Sequence, residues 1–446
     1  MKPSSGSKNL NTNSKRGGLR LAGLVLMLAV ASGAWAASEK VLYTFHGTDG
    51  CGPTSVIVGA DGALYGTTEA AGTTTCSAEY INSGAVFQLT LGSGGKWNEA
   101  VLHLFTGRDG SNPGGALAAD KAGNLYGTTV NGGPSCSQLG CGVAFELARG
   151  KAGKWTFKVL HNFALTDGAN PYAGMIFDSN GNLYGTTSGG GNTSACEGGC
   201  GVVFELSPDG KGHWTETVLY SFSGGDGAQP LAPLAFDSSG NLYGTTEYGG
   251  AHGYGTVFRL SHAHGQWSEE ILHSFDGDAG DGIYPGYSIT FDHSNALYGA
   301  TVLGGTEGQQ GSGTAFRLRL AGDGKWDETI LHRFNEAKFG GGYVSSGLVL
   351  NKSGDLYGTA NWGGKYDCPL GGGTGCGVVF ELIPHADGKW TESVLHSFGQ
   401  GNDGIFPGGG LAFDSSGRLF GVTREGGYTE SACGQAGCGV VFEVTP

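Results

Sequence analysis

The chain has 446 residues, 89 of them Gly, with only 14% charged residues and a formal net charge of −14 at pH 7. The Gly follows no three-residue period and Pro totals 13, which excludes collagen, and 11% aromatic residues exclude a disordered low-complexity chain. Each Gly costs a helix about 1 kcal/mol relative to Ala, so long helical bundles are excluded too, and a turn-rich, all-β protein remains.

The chain begins with five cations, Lys2, Lys8, Lys15, Arg16 and Arg20, and no acid within residues 1–20. An apolar run from Leu21 to Ala31 leads to Ala34-Trp35-Ala36, the small-x-small pattern of a signal-peptidase site. The run is short for a bilayer span. This predicts a signal peptide over residues 1–36, a single mature domain over 37–446, and a secreted, extracellular or cell-surface location. Retention of the segment as an N-terminal anchor is the alternative. Losing the five cations moves the formal charge from −14 to −19. Such a surface repels phosphate backbones and anionic membranes. No nucleic-acid partner and no membrane span are expected for the mature chain, which is read as a monomer.

Three motifs then recur in a fixed order, seven times each. Leu-Tyr-Gly-Thr-Thr begins at Leu64, Leu125, Leu183 and Leu242, with variants at Leu297, Leu356 and Leu419. Gly-Val-Val-Phe-Glu-Leu places its aromatic at Phe87, Phe145, Phe204, Phe258, Phe316, Phe380 and Phe442. Val-Leu-His-Ser-Phe and its variants begin at Val41, Val101, Val159, Val218, Ile271, Ile330 and Val394. The third unit shows four strand-like runs: Gly174–Asp178, Asn182–Thr187, Gly201–Leu206 and Trp214–Phe222. The turns Ser179-Asn180-Gly181 and Pro208-Asp209-Gly210 favour tight hairpins between them. Four antiparallel strands per unit is the pattern of a β-propeller blade. The mature chain opens with only a fourth strand, Glu39–Phe45, and stops after a third, Gly439–Val444. Joining the two closes a ring without an open edge. The expected fold is an all-β, seven-bladed β-propeller, its last blade completed by the N-terminal strand.

Eight of the ten cysteines form local pairs between the second and third strands: Cys136/Cys141, Cys196/Cys200, Cys368/Cys376 and Cys433/Cys438. Cys51 and Cys76 remain, in loops that leave a propeller on the same face. Five disulfides are expected, as suits an exported protein.

The recurrent histidines His103, His161, His273, His332 and His396 share one position on the outermost strand. Symmetry spreads them around the rim, so they cannot share one metal. They are expected to pack between blades with a local Glu or backbone partner, on a face that alternation assigns to Trp97, Glu99, Val101, His103 and Phe105. The repeated Trp and Tyr residues are read as structural. The loops leading into six of the seven blades carry Asp49, Asp109, Asp167, Asp226, Asp281 and Asp403, and the blade around Trp362 has Phe339-Gly340-Gly341-Gly342-Tyr343 instead. The aspartates are turn residues, with oxygen ligands near the central channel as the functional alternative. Asp276, Asp278 and Asp281 come nearest to a calcium loop. Aromatics that break the repeat point to a ligand face: Trp362, Tyr366, Tyr248, Tyr428 and Tyr343, with Tyr80, Tyr284 and Phe406 nearby. No catalytic residue is assigned, since the chain lacks a nucleophile elbow, a zincin motif and a P-loop.

The succession of Leu-Tyr-Gly-Thr-Thr, Gly-Gly, Gly-Val-Val-Phe-Glu-Leu and Val-Leu-His-Ser-Phe over residues 39–446 resembles the GloVer tandem-repeat family. These are exported bacterial proteins named choice-of-anchor for their differing C-terminal anchoring signals. The resemblance implies an exported bacterial protein and supplies no catalytic residue. This sequence shows no such anchor, which favours release. The expected function is a binding or scaffold module for an extracellular polysaccharide or surface protein, with no obligatory cofactor. The alternative is a polysaccharide hydrolase or lyase with carboxylates at the channel mouth.

Overall fold

A computed structural model of the protein describes residues 37–71, 83–136, 139–277, 280–306, 311–335, 340–368, 375–427, 433 and 436–446. The signal peptide expected over residues 1–36, and Cys76, Tyr80, Asp278 and Tyr428, lie outside the described residues.

In the third unit Ile176–Phe177, Leu183–Thr187, Val202–Pro208 and Trp214–Ser221 form one antiparallel sheet in that order. Leu183 pairs with Leu206, Gly185 with Phe204 and Thr187 with Val202, so the two strongest repeat motifs are adjacent strands. Six blades are built this way from consecutive strands. In the sixth, the inner strand runs in two pieces, Gly341–Val344 and Val349–Leu350. The seventh joins Gly404–Phe413, Leu419–Gly426 and Val440–Thr445 to the N-terminal strand Ser38–Thr44, which lies antiparallel to the last strand. The fold is the expected seven-bladed propeller. The 3-10 turn Lys151–Gly153 is the one helical element among the described residues.

The innermost strand is shorter than the sequence suggests. Of Gly174–Asp178 only Ile176 and Phe177 join the ladder. Gly174 runs close against the preceding blade, where a Cβ would overlap the Ala116 carbonyl. Hydroxyls tie these segments together instead. Thr128 Oγ1 donates to the Ala173 carbonyl at 2.8 Å, and Thr186 Oγ1 to the Ala232 carbonyl at 3.2 Å.

Burial is organised seam by seam. Seven apolar clusters each draw on two neighbouring blades. At every seam the Phe ending one outer strand packs on the Phe of the next blade's third strand, with centroids 4.9–5.3 Å apart. The Gly of Leu-Tyr-Gly makes room for that second ring, since a Cβ on Gly185 would sit 2.5 Å from Phe204 Cζ. Repeated Trp residues pack on the Tyr of the preceding blade, as Trp155 does on Tyr65 and Trp214 on Tyr126, both at 5.9 Å. Both sets are structural, as expected.

The outer strand departs from simple alternation. A bulge falls in the Val-Leu-His segment of every blade, where Val101 pairs with Phe87 and His103 with Val86. Leu102 is the extra residue and turns into the seam, while Val101 stays 36% exposed. Val101 therefore does not share a buried face with Glu99 and His103.

All four local disulfides form, Cys136–Cys141, Cys196–Cys200, Cys368–Cys376 and Cys433–Cys438. Cys51 is also disulfide-bonded. Disulfides on this scale suit an extracellular environment.

Candidate functional site

The loop leading into each blade holds one residue in the left-handed region, followed by Pro in six of the seven blades. These are Gly52, Asn112, Asn170, Gln229, Tyr284, Tyr343 and Phe406, all at φ between 54° and 61°. The reason is a repeated seam bond. Each backbone N–H donates to a carbonyl of the preceding blade, as Asn170 does to Cys141, Gln229 to Cys200, Tyr343 to Ser312 and Phe406 to Cys376. Gly tolerates this conformation freely and Asn moderately, whereas an aromatic residue is disfavoured there. Three consecutive blades nevertheless place an aromatic at it. Strain held in one arc of a symmetric ring marks that arc as specialised.

The same arc carries a cleft of about 430 Å³ lined by residues of blades five, six, seven and one. Trp362 and Phe406 meet in it edge to face, with centroids 5.0 Å apart. Glu69, Asn361, Arg424 and Glu425 supply its polar lining. Arg424 bridges to Glu69 at 2.6 Å, joining the last blade to the first. Burial holds the Glu425 carboxyl above the ordinary range, partly offset by Arg424. Burial also raises Glu247, on the fourth blade. Tyr172 is 47% exposed and lies in the field of Glu69, Arg424 and Glu247, groups from three different blades.

The aromatics read from the sequence do not form one platform. Trp362 lines the cleft. Tyr248 packs with Tyr284 at 5.1 Å, and Tyr284 with Tyr254 at 6.1 Å, in a separate patch. Tyr343 presents its ring to solvent, 37% exposed. Tyr366 lies beside Gly399 and the Cys368–Cys376 bridge, outside the cleft lining.

The loop aspartates do not face the channel. They accept from the outer strand: Asp109 from His103 at 3.0 Å, Asp226 from Tyr220 at 2.7 Å, Asp49 from Tyr43 at 2.5 Å. The expected Glu or backbone partner of the histidines is thus, in four seams, an Asp six to eight residues on, and in two of these a Glu of the next blade stands close as well. His332, whose loop lacks the Asp, contacts Glu392 at 3.2 Å. Asp276 lends its backbone N–H to Asp281 at 3.0 Å. Burial lowers the affinity of His103 and His161 for a proton. Burial acts the same way on His273, but Asp281 and Glu328 outweigh it and raise that imidazole above its ordinary value.

The Gloeobacter/Verrucomicrobia repeat model matches residues 72–308 and 192–368. The chain belongs to this repeat family. No curated protein matches it. Among solved structures, a fungal alcohol oxidase of the AA5 family, in complex with copper, is 14% identical with a TM-score of 0.58, covering 92% of this chain and 77% of its own. A puromycin-hydrolysing peptidase of Mycobacterium tuberculosis is 12% identical with a TM-score of 0.50, covering 86% of this chain and 52% of its own. These likenesses concern the fold alone.

Sequence reasoning missed Glu69, Arg424, Glu425, Asn361 and Glu247. All lie one or two positions beyond Leu-Tyr-Gly-Thr-Thr, where this repeat protein varies most: Glu69, Val130, Ser188, Glu247, Val302, Asn361, Arg424. Aligning the seven copies one step further would have exposed that column.

Proposed function

We propose that this repeat propeller is an exported scaffold that binds an extracellular polysaccharide in the cleft around Trp362. The observation carrying this reading is the Trp362–Phe406 pair set among Glu69, Asn361 and Arg424. An apolar ring face with a few polar groups beside it suits a sugar ring, which has an apolar face and a hydroxyl edge. The cationic start and Ala34-Trp35-Ala36 support export, as do the disulfides. A peptide of a surface protein is the other occupant the cleft suits.

A second reading rests on Glu69 and Glu425, two carboxylates from different blades that line the same cleft, the second raised by burial. Raised carboxyls suit a general acid in glycoside cleavage.

One experiment separates the readings. The protein is incubated with soluble and insoluble polysaccharides, with and without a chelator, and both retention and released sugars are measured. Retention without products, lost in Trp362→Ala, supports the scaffold. Release of oligosaccharides by wild type but not Glu425→Gln establishes the hydrolase or lyase instead. Neither retention nor release on any polysaccharide overturns both.

A further inference from the structure

The belt of outer-strand residues between blades has a consequence separate from the cleft. At every seam but the one at His332 three positions converge: the His or Tyr of one outer strand, the Asp of the following loop, and a residue of the next blade's outer strand. Three seams carry one imidazole and two carboxylates, His161/Asp167/Glu216, His273/Asp281/Glu328 and His396/Asp403/Glu39, and among the described residues only the first two bring all three groups close together. In each of these two, one ligand atom per residue lies within 4.8 Å of the others.

We propose that His273, Asp281 and Glu328 bind a zinc-type divalent cation, and that His161, Asp167 and Glu216 bind a second. Three observations carry this. The first is spacing. His273 Nε2 lies 3.4 Å from Asp281 Oδ2 and 3.7 Å from Glu328 Oε1, and His161 Nε2 lies 3.3 Å from Asp167 Oδ2. Zinc bonds of about 2.0–2.2 Å in a tetrahedron put ligand atoms about 3.4 Å apart. The second is unmet bonding capacity. His161 Nε2, Glu216 Oε1 and Glu328 Oε1 are buried without a well-aligned hydrogen bond; the Oε1 atoms of Glu39, Glu99 and Glu269 share this at other seams, so the feature counts here only together with the close spacing. Such atoms are costly unless something satisfies them.

The third is the behaviour of the incomplete seams. Where Phe157 takes the place of the Glu, it stacks on the His103 ring at 3.8 Å, and His103 closes on Asp109 to 3.0 Å, an ordinary hydrogen bond. Where Tyr43 or Tyr220 takes the place of the His, its hydroxyl donates to the Asp and no imidazole remains. An imidazole with two carboxylates suits a borderline ion such as zinc over calcium, which prefers six to eight oxygens. His273 and Glu328 are partly exposed, at 22% and 15%, so solvent would supply the fourth ligand of a tetrahedral ion. Each ion would clamp two blades at a seam.

The test uses the full chain, stripped with a chelator and titrated with zinc against a chromophoric competitor, and with cobalt(II) followed by visible absorption. Wild type should take up two equivalents and show the intense bands of tetrahedral cobalt. His273→Gln should take up one, the His161→Gln/His273→Gln pair none, and His103→Gln still two. Glu328→Gln keeps the imidazole and should weaken its site about tenfold or more, so it decides the matter if a His variant misfolds. A wild type that takes up no zinc, or a double variant that takes up as much as wild type, overturns the proposal. A single equivalent lost in His273→Gln upholds the first site and overturns the second.

Discussion

Phe45 stands edge to face on Phe87, with ring centroids 5.0 Å apart and planes at 68°. The two residues belong to the N-terminal strand of the last blade and the third strand of the first. Their geometry repeats Phe163 on Phe204 at 5.0 Å, a seam inside the chain. The closing seam is thus packed like the covalently continuous ones, and both rings are fully buried. Phe45→Ala should cost about 3–5 kcal/mol, as for other buried Phe side chains. Denaturant unfolding checks this against Phe163→Ala. A closing seam that costs far less than the interior one would mean that the ring closes weakly.

What repeats was legible in the sequence, and what breaks the repeat was only partly so. The Phe, Gly, Tyr and Trp positions recur because every seam solves one packing problem. The His–Asp clasp was not read from the sequence, which suggested a Glu or backbone partner, although its six-residue spacing stands at His103/Asp109 and Tyr220/Asp226. Its direction was not legible, because a loop Asp can face the channel or the rim, and the bulge at Leu102 hides which way the outer strand turns. The Glu completing a clasp lies one repeat on, as Glu328 does for His273. The cleft was legible only through Trp362 and Phe406. Its charged residues Glu69 and Arg424 are 355 positions apart and meet only because the ring closes.

A seam glycine offers a second check. Gly201 has φ +93°, and a Cβ there would overlap the Thr187 carbonyl and sit 2.7 Å from Pro230 Cδ of the next blade. Gly210 has φ +72° but nothing within 4 Å of such a Cβ. Gly210→Ala should cost about 1–2 kcal/mol for its left-handed backbone alone. Gly201→Ala adds a clash that the backbone must relieve, so its loss in denaturant midpoint should be clearly larger. Equal losses would mean that the seam yields easily.

The buried rim carboxylates make stability depend on pH. Burial, then the charge of Asp49, pushes the Glu99 carboxyl up to about 7, with Tyr43 facing the same seam. An unfolded Glu titrates near about 4.3. Between these values the folded protein holds a proton that the unfolded chain releases, so stability falls as pH rises through the interval. The contribution is intact below about 4.3 and lost above about 7. Glu99→Gln removes the titration. It should raise the melting temperature at about pH 8 and change little at about pH 4. A difference of equal size at both pH values would remove this explanation.

The strained aromatics should show stability and binding pulling in opposite directions. Tyr343 sits at φ 56° with its ring 37% exposed, so it contributes modest burial while bearing the cost of a left-handed backbone. Asn112 and Asn170 hold the equivalent position in other blades, at φ 54° and 56°. Their side chains tolerate that region better than an aromatic one does. Tyr343→Asn keeps the N–H that donates to Ser312 and lowers the strain, so it should stabilise the protein by about 1 kcal/mol. Phe406→Asn is the informative contrast, because Phe406 also packs on Trp362 in the cleft. It should weaken polysaccharide retention while its net effect on stability stays small, the relieved strain offsetting the lost ring contact. Thermal melts and retention assays on the two variants check the pair. If Phe406→Asn destabilises strongly and leaves retention unchanged, the aromatic is there for packing and the arc is not a binding face.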